Sequence, residues 1–252
     1  MSKRQGLCML GAVLAAGQIL SASVAGTPQA FRHRYALSHN GRVAIQNFYG
    51  SVSITAWDRE EVLVEAVKHS SGPAGSADAR LLVEPSAGAV SIRTLYTGAD
   101  AAHPTSVEYR IMVPRGVTLE NVVVTNGQLS IDGLTGWVKA SAVNGDIKAL
   151  KLAGHVELST INGQVEAAFA RTSAANAISL SSVNGPIRLT IPSGSGANLE
   201  ARNLSGGIAS DIGRVARTSG GQRLIVKGSG PQIHVHNVNG GISIRSVERR
   251  VT

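Results

Sequence analysis

The sequence predicts an all-β fold, and three observations indicate a β-solenoid with coils of about 18 residues. Between residues 127 and 165, a glycine returns at every ninth position. Within each nine-residue unit the third, fifth and eighth places are apolar, and the alternation of the third and fifth places has the period of a β-strand. Every second glycine follows an asparagine, so the complete repeat comprises two nine-residue units. A repeat of this length is typical of one solenoid coil, and the usual hand predicts a right-handed single-stranded β-helix.

The N-terminus has the order of a secretory signal peptide. Two basic residues, Lys3 and Arg4, precede an apolar run from Leu7 to Leu20, and the small residues Ser23-Val24-Ala25 follow it. Residues 1–25 are therefore predicted to be a signal peptide that is removed. The alternative is a short membrane anchor, but the run is shorter than the roughly 20 residues that a helical span requires.

Export limits the chemistry and the partners of the mature chain. The only cysteine, Cys8, lies in the signal peptide, so disulfides and thiolate sites are excluded after cleavage. Removing residues 1–25 lowers the formal net charge from +8 to +6, a moderate excess that favours anionic envelope surfaces. Export and an aromatic content of 4% argue against nucleic acid, and no later segment is apolar enough to span a bilayer. We expect a periplasmic, cell-surface or extracellular protein.

The mature chain is predicted to contain a short lead-in and one repeat domain. Residues 26–40 have no clear period and form the lead-in. The repeat begins at residues 41–54, where glycines nine positions apart are each followed by an x-Val-x-Ile strand. Longer alternating strands then predict an inserted antiparallel sheet. The predicted parts are the repeat domain at 41–247, which includes the inserted sheet at 60–114 and the main array at 117–247, and a tail at 248–252.

Insertions at coil boundaries interrupt the main array. The spacing from Gly163 to Gly185 exceeds one repeat by four positions, and the spacing from Gly185 to Gly206 exceeds it by three. Residues 212–230 form a longer, basic excursion. Because such insertions leave a solenoid without disturbing its stack and often carry function, this excursion is a candidate ligand contact. Its candidate contact residues are Arg214, Arg217, Arg223 and Lys227.

Coils that stack in register predict ladders of equivalent residues. The Asn-Gly corners would form a turn ladder in which side-chain amides bond to one another. Its members are Asn126, Gly127, Asn144, Gly145, Asn162, Gly163, Asn184, Gly185, Asn239 and Gly240. Leu129, Ile147, Val165 and Ile187 would form one inward ladder. Charges of alternating sign, at Lys148, Glu166 and Arg188 and at Lys139 and Glu157, would stabilise the outer faces.

Residues that could support catalysis or metal binding do not form a recognisable site in the sequence. Asp132, Asp146, Glu157 and Glu166 fall on different ladders, whereas glycoside hydrolysis requires a facing pair of carboxylates. His234 and His236 share one strand face and could bind a metal, but a third ligand is not evident, and His155 lies earlier in the array. The glycine pairs are not followed by a phosphate-loop lysine. We expect no cofactor, no metal and no catalytic residue.

Several motifs resemble those of the bacterial putative-adhesin family, whose domains are exported β-strand repeats of unknown function. They are Gly41 to Ile54 followed by Trp57-Asp58, the Val-x-Tyr-x-Ile-x-Val-Pro-x-Gly motif at 107–116, and the Val-Asn-Gly-x-Ile units at 143–147, 183–187 and 238–242. The resemblance covers roughly residues 38–247. It implies an extracytoplasmic β-helical protein linked with surface adhesion or envelope-stress systems, and it supplies no catalytic residues.

The function predicted from the sequence is that of an exported, non-enzymatic adhesin or cell-envelope interaction module. Its candidate partners are an envelope polysaccharide and a surface protein. Two alternatives belong to other classes. One is a β-helical carbohydrate-active enzyme, and the other is a periplasmic sensor or scaffold in an envelope-stress system.

Overall fold

The structure is all-β over the residues that it describes. The computed structural model describes residues 29–69, 79–97 and 105–248, and these ranges contain strands and turns without a helix. The predicted signal peptide at 1–25 and residues 249–252 of the predicted tail lie outside the described ranges. Within those ranges there is no helix long and apolar enough to cross a membrane.

The described residues form 21 strands. In chain order they are β1 (Gln29–Ala36), β2 (Arg42–Tyr49), β3 (Val52–Trp57), β4 (Glu61–His69), β5 (Ala79–Ser86), β6 (Ala89–Tyr96), β7 (Ser106–Pro114), β8 (Thr118–Asn126), β9 (Leu129–Asp132), β10 (Val138–Asn144), β11 (Ile147–Leu152), β12 (Val156–Asn162), β13 (Val165–Phe169), β14 (Ala177–Asn184), β15 (Ile187–Pro192), β16 (Asn198–Ser205), β17 (Ile208–Ser210), β18 (Val215–Thr218), β19 (Gly221–Val226), β20 (Gln232–Asn239) and β21 (Ile242–Val247).

The strands divide between two large mixed sheets. Sheet 1 has ten strands in the order β1-β4-β7-β3-β9-β11-β13-β15-β21-β17. Sheet 2 has eleven strands in the order β18-β19-β16-β20-β14-β12-β10-β8-β2-β6-β5. From β8 to β15 the chain alternates between the sheets, because each Asn-Gly corner ends a strand of sheet 2 and the next strand belongs to sheet 1.

Neighbouring repeats pair in parallel and in register. In sheet 2, Val138 pairs with Val156, the equivalent residue of the next repeat, and Val156 pairs with Ile178. In sheet 1, Ile147 lies between Leu129 and Val165, as the sequence repeat predicts. The four-residue insertion after β13 is absorbed in the connection, so Asn162 still pairs with Asn184.

The strands at residues 60–114 differ from the sequence prediction in their placement. The antiparallel pairs are present, between β4 and β7 and between β5 and β6. They do not form one inserted sheet, because β4 and β7 extend sheet 1 while β5 and β6 extend sheet 2. The predicted lead-in is also different, since residues 29–36 form β1, which pairs along its length with β4. The repeat period does not reveal β1, because this strand belongs to no repeat.

The last strands do not stack in chain order. The coils that end at Gly185 and Gly206 are consecutive in the repeat array, but their strands are not neighbours in the sheets. Instead β20 lies between β14 and β16, and β21 lies between β15 and β17. The hairpin of β18 and β19 then pairs with the outer edge of β16. The sequence could not give this order, because equivalent positions of any two coils match equally well.

The core lies between the two sheets and consists mainly of aliphatic side chains. Ile147, Val165 and Ile187 of sheet 1 and Val138 and Val156 of sheet 2 are completely buried. Alternate residues of each strand point inward, so the third and fifth places of the repeat fill the core. The apolar eighth place has two environments: Leu134 and Leu152 are buried, whereas Val143 and Ile161 point outward. These outward residues lie on the solvent side of sheet 2.

Candidate functional site

The corners at the end of sheet 2 carry a ladder of side-chain amides. Asn144 donates from Nδ2 to Oδ1 of Asn126 at 2.9 Å, and Asn162 donates to Asn144 at 2.9 Å. The series continues from Asn184 to Asn162 at 2.9 Å and from Asn239 to Asn184 at 3.0 Å. The structure therefore brings all five asparagines of the sequence-derived turn ladder into one hydrogen-bonded line.

The glycines of these corners stack because the backbones approach closely. A Cβ on Gly145 would overlap the carbonyl oxygen of Gly127, and one on Gly163 or Gly185 would meet the glycine carbonyl of the preceding repeat. Gly240 meets the carbonyl of Gly185 and has a φ of +132°, in the left-handed region. The Asn-Gly repeat is thus explained by packing, independently of any ligand.

A row of buried polar side chains supports the same corners from inside. Thr160 donates to the carbonyl of Gly145 at 3.0 Å, and Ser182 donates to that of Gly163 at 3.2 Å. Asn203 does the same for Gly240 at 2.7 Å. These hydrogen bonds satisfy carbonyl groups that the turn leaves free of the sheet, which gives the polar residues a structural role.

The outward residue next to each corner forms a line of exposed apolar side chains, which we call the apolar ridge. Among the described residues, five of the nine large exposed hydrophobic side chains lie on it: Leu95 (44%), Phe48 (51%), Ile161 (46%), Val183 (40%) and Leu204 (59%). The partly buried Val143 and Val238 complete the line, which only Thr125 interrupts. In strand order the ridge is Leu95, Phe48, Thr125, Val143, Ile161, Val183, Val238 and Leu204.

The ridge is continuous because its eight strands are parallel and in register. From β6 to β16 through β2, β8, β10, β12, β14 and β20, every neighbouring pair is parallel. With strands about 4.8 Å apart, the ridge is about 34 Å long. A contiguous line of exposed apolar side chains on a folded surface marks an interaction site more often than scattered apolar residues do.

The two borders of the ridge are polar. On the corner side lies the asparagine ladder. On the other side, two residues earlier in the strand, lie Ser141, Ser159 and Ser181 on the three central strands. On the strands near the two ends of the ridge this place is taken by Arg93 and Arg202. Beyond the serines, Lys139 and Glu157 form an ion pair at 3.2 Å. The middle of the surface is therefore apolar, with neutral hydroxyl and amide groups beside it.

One end of the ridge is aromatic. The ring of Phe48 meets that of Tyr96 edge to face at 6.0 Å, and Tyr49 meets the same ring at 5.4 Å. These contacts fix the exposed Phe48 side chain on its strand, because edge-to-face pairs stabilise one ring orientation. This end of the ridge thus carries a fixed aromatic ring beside Leu95, and the other large exposed side chains of the ridge are aliphatic.

The basic excursion forms the β18–β19 hairpin at the opposite end of the sheets. Leu224 of this hairpin is completely buried, and the side-chain oxygen of Gln222 accepts a hydrogen bond from the backbone N–H of Ile208, on the edge strand β17, at 2.7 Å. The hairpin therefore covers the end of the core and part of an open sheet edge, which gives it a structural role.

The basic residues of the hairpin have different surroundings. Arg223 is half-buried and donates to Oε1 of Glu200 at 2.7 Å, as does Arg202. These bonds, first that of Arg202 and then that of Arg223, hold the pKa of Glu200 below its usual value against the opposing effect of burial. Arg214, Arg217 and Lys227 are exposed, and the register places Arg217 opposite Gln222. Of the four basic residues, Arg223 therefore has a structural partner in Glu200.

The acidic side chains considered from the sequence all have a structural partner. Glu157 pairs with Lys139 at 3.2 Å, Glu166 with Lys148 at 3.8 Å and Asp132 with Lys151 at 3.0 Å. Asp146 accepts a hydrogen bond from the backbone N–H of Gln164 at 2.8 Å. Arg188 lies opposite Glu166 in the register, as expected, and its side chain donates to the side chain of Gln164.

The histidines considered as metal ligands lie on the outer face of sheet 2. His234 and His236 are exposed, and the register places them beside Glu200 and Arg202. His155 packs edge to face on Trp137 at 5.5 Å, and it directly precedes β12, which β14 separates from the strand of the other two histidines. Within the described ranges no group of three or more His, Cys, Asp or Glu side chains could hold a metal ion.

The apolar ridge is the feature that reasoning from the sequence missed. The signal was present, since a valine or isoleucine precedes the Asn-Gly pair at Val143, Ile161, Val183 and Val238. In the sequence this residue belongs to the structural motif, because a period alone does not say which face of a strand an apolar residue occupies. The strand alternation in the structure places these residues outward.

Comparisons with known proteins find similarity only among solved structures. Neither a protein-family profile nor a curated protein matches the chain. The chain is similar to a putative cell adhesion protein from Clostridium sporogenes, with a TM-score of 0.55 and 9% identity, over 88% of this chain and 100% of that one.

Two further solved structures are more distant. A putative adhesin from Bacteroides fragilis has a TM-score of 0.37 and 12% identity, over 87% of this chain and 97% of that one. A putative adhesin from Parabacteroides distasonis has a TM-score of 0.29 and 9% identity, over 88% and 98%. The name of the Clostridium protein agrees with the resemblance to the putative-adhesin family seen in the sequence, and the likeness to that protein concerns the fold alone.

Proposed function

We propose that this protein is an exported, non-enzymatic β-solenoid that acts as an adhesin or cell-envelope interaction module and contacts its partner through the apolar ridge. The observation that carries the proposal is the ridge itself, an exposed apolar line along eight parallel strands. The export step rests on the sequence of residues 1–25, and the adhesin role is consistent with the names of proteins that share the fold.

The solenoid architecture is supported by the strand pairing. Equivalent residues of successive repeats are neighbours in both sheets, and each repeat contributes one strand to each sheet. A right-handed course remains our prediction. Such an architecture offers a long, flat and repetitive face, which suits an extended partner better than a small molecule does.

A non-enzymatic role is supported by the state of the acidic residues. Glu157 and Glu166 are ion-paired with lysines on neighbouring strands, and Asp146 accepts a backbone hydrogen bond. Carboxylates held in this way stabilise the stack, and they do not present the facing acid and base that glycoside hydrolysis requires.

The proposal is tested by binding of the exported, purified protein to bacterial envelope fractions and to a glycan array. The test variant is Ile161→Asp/Val183→Asp, which places two charges on the ridge without changing a buried residue. We expect binding to envelope material to fall at least about 30-fold, because charges replace apolar contacts at the centre of the interface.

The matched control is Met112→Asp, since Met112 is an exposed apolar residue (38%) on the outer face of sheet 1. This variant should bind like the wild type. A second comparison neutralises Arg214, Arg217 and Lys227 together. If only this triple variant loses binding, the contact lies on the hairpin and the ridge is not the binding surface. If the wild type binds neither material, the adhesin role is wrong.

A further inference from the structure

We propose that the partner of the apolar ridge is a second copy of this chain, packed ridge against ridge. The inference rests on the proposed function and deepens it, because it makes the adhesive contact homotypic.

The repeat of the ridge limits what can contact all of its residues. Successive ridge side chains are separated by the strand spacing of about 4.8 Å. An extended peptide places side chains of one face about 6.6 Å apart, so its side chains would no longer lie opposite those of the ridge after a few residues. A second ridge has the same spacing by construction, and each apolar side chain of one copy can then contact one of the other.

The charges beside the ridge allow two copies to approach. On the exposed face, Val143, Ile161 and Val183 are flanked by the serines two positions earlier and by the asparagines that follow them. The nearest charged residues of the central strands, Lys139 and Glu157, neutralise each other at 3.2 Å. An interface core without unpaired charge is typical of contacts between identical subunits. In the middle of the ridge this neutrality gives an anionic polymer or an anionic lipid surface no cation to bind. Near the two ends, Arg93 and Arg202 are each paired with a glutamate, at 2.6 and 2.7 Å.

The surface is large enough for a reversible dimer. The ridge is about 34 Å long, and the strip from the charged row to the asparagine ladder spans five residue steps, or about 17 Å. The planar area is therefore roughly 600 Å², which approaches the roughly 800 Å² per partner of a standard interface. We expect an association that depends on protein concentration.

Both ends of the ridge can contribute apolar side chains to the contact between two copies. Leu95 and Phe48 lie at one end and Leu204 at the other, and all three are more than 40% exposed. Because apolar side chains occupy both ends as well as the middle, two ridges can remain in contact along their whole length. A ridge that was apolar only in the middle would support a much smaller contact.

The inference is tested by sedimentation velocity of the exported, purified protein over a range of concentrations. We expect a monomer–dimer equilibrium for the wild type and for Met112→Asp. For Ile161→Asp/Val183→Asp we expect the dissociation constant to rise at least about 30-fold. Circular dichroism and thermal melts of each variant establish that the fold is retained.

A charge-reversal experiment identifies the contact itself. Ile161→Asp/Val183→Asp and Ile161→Lys/Val183→Lys should each be monomeric alone and should form a mixed dimer when combined, because opposite charges then face each other across the ridge. Recovery of the dimer excludes misfolding as the cause of the loss.

Several outcomes would overturn the inference. They are a wild-type protein that stays monomeric at all concentrations, a dimer that the ridge variants leave unchanged, and a failure of the two charged variants to combine. Binding to envelope material or glycans by a monomeric wild type would retain the proposed function and reject the homotypic contact. A ridge-dependent dimer that does not bind cells or envelope material would retain the homotypic contact and reject the proposed function.

Discussion

The side-chain amide of Asn162 donates from Nδ2 to Oδ1 of Asn144 at 2.9 Å, although the two residues are 18 positions apart in the chain. Asn162 also accepts a hydrogen bond from Asn184 at 2.9 Å, so it is an internal member of the ladder. Asn239, in contrast, lies at the end of the ladder and makes one ladder hydrogen bond, to Asn184 at 3.0 Å. The ladder fixes the corners of successive repeats in line, and this alignment keeps the apolar ridge straight.

Asn162→Ala should destabilise the protein more than Asn239→Ala. The first substitution removes two ladder hydrogen bonds and the second removes one, and each such bond contributes about 0.5–1.5 kcal/mol. Urea unfolding of both variants measures the difference in the free energy of unfolding. Equal losses would indicate that the ladder does not contribute through its individual bonds.

Gly145→Ala should be strongly destabilising, by about 3 kcal/mol or more. The added Cβ would overlap the backbone carbonyl of Gly127, which cannot move without disturbing the stacked corners. Gly207→Ala is the matched control, because a Cβ at Gly207 has no atom within 4 Å. The thermal midpoints of the two variants test this prediction, and similar midpoints would contradict the close approach of the corners.

Ile147→Asp should destabilise the protein by about 3–5 kcal/mol, because it buries a charge without a partner. Ile147 is completely buried and lies between Leu129 and Val165 on the neighbouring strands. Ser130→Asp, on the exposed face of the adjacent strand β9, should have little effect. A wild-type melting curve for Ile147→Asp would reject the in-register pairing of these strands.

Glu200 should make the stability of the hairpin end depend on pH. Its pKa is held below the usual value by Arg202 and Arg223, so its stabilising contribution is present above the pKa of the unfolded chain and is lost as the pH falls through the lower folded value. The relevant range lies below about pH 4.3. The thermal midpoint of Glu200→Gln should be lower than that of the wild type at pH 7, and the difference should shrink toward pH 3.

A double-mutant comparison checks the cause of this pH dependence. In an Arg202→Ala/Arg223→Ala background, Glu200→Gln should change the thermal midpoint little at either pH, because the hydrogen bonds that lower the pKa are absent. An undiminished difference in that background would place the origin of the effect elsewhere.

The sequence by itself determined the all-β class, the repeat of two nine-residue units, the inward aliphatic ladders and the Asn-Gly corners. These features depend on local alternation and on the conformational freedom of glycine, both of which a repeat displays directly. For the same reason Ile147 could be assigned to the core from its position in the repeat alone.

The tertiary structure alone decided three other features. It placed β20 between β14 and β16, divided the strands at residues 60–114 between the two sheets, and turned Val143 and Ile161 outward. The strand order depends on which edges remain unpaired, and a repeat of equivalent coils does not encode that choice. The outward direction of Ile161 depends on the alternation that begins at the buried Val156, so the apolar ridge, and the contact proposed for it, became visible only in the folded chain.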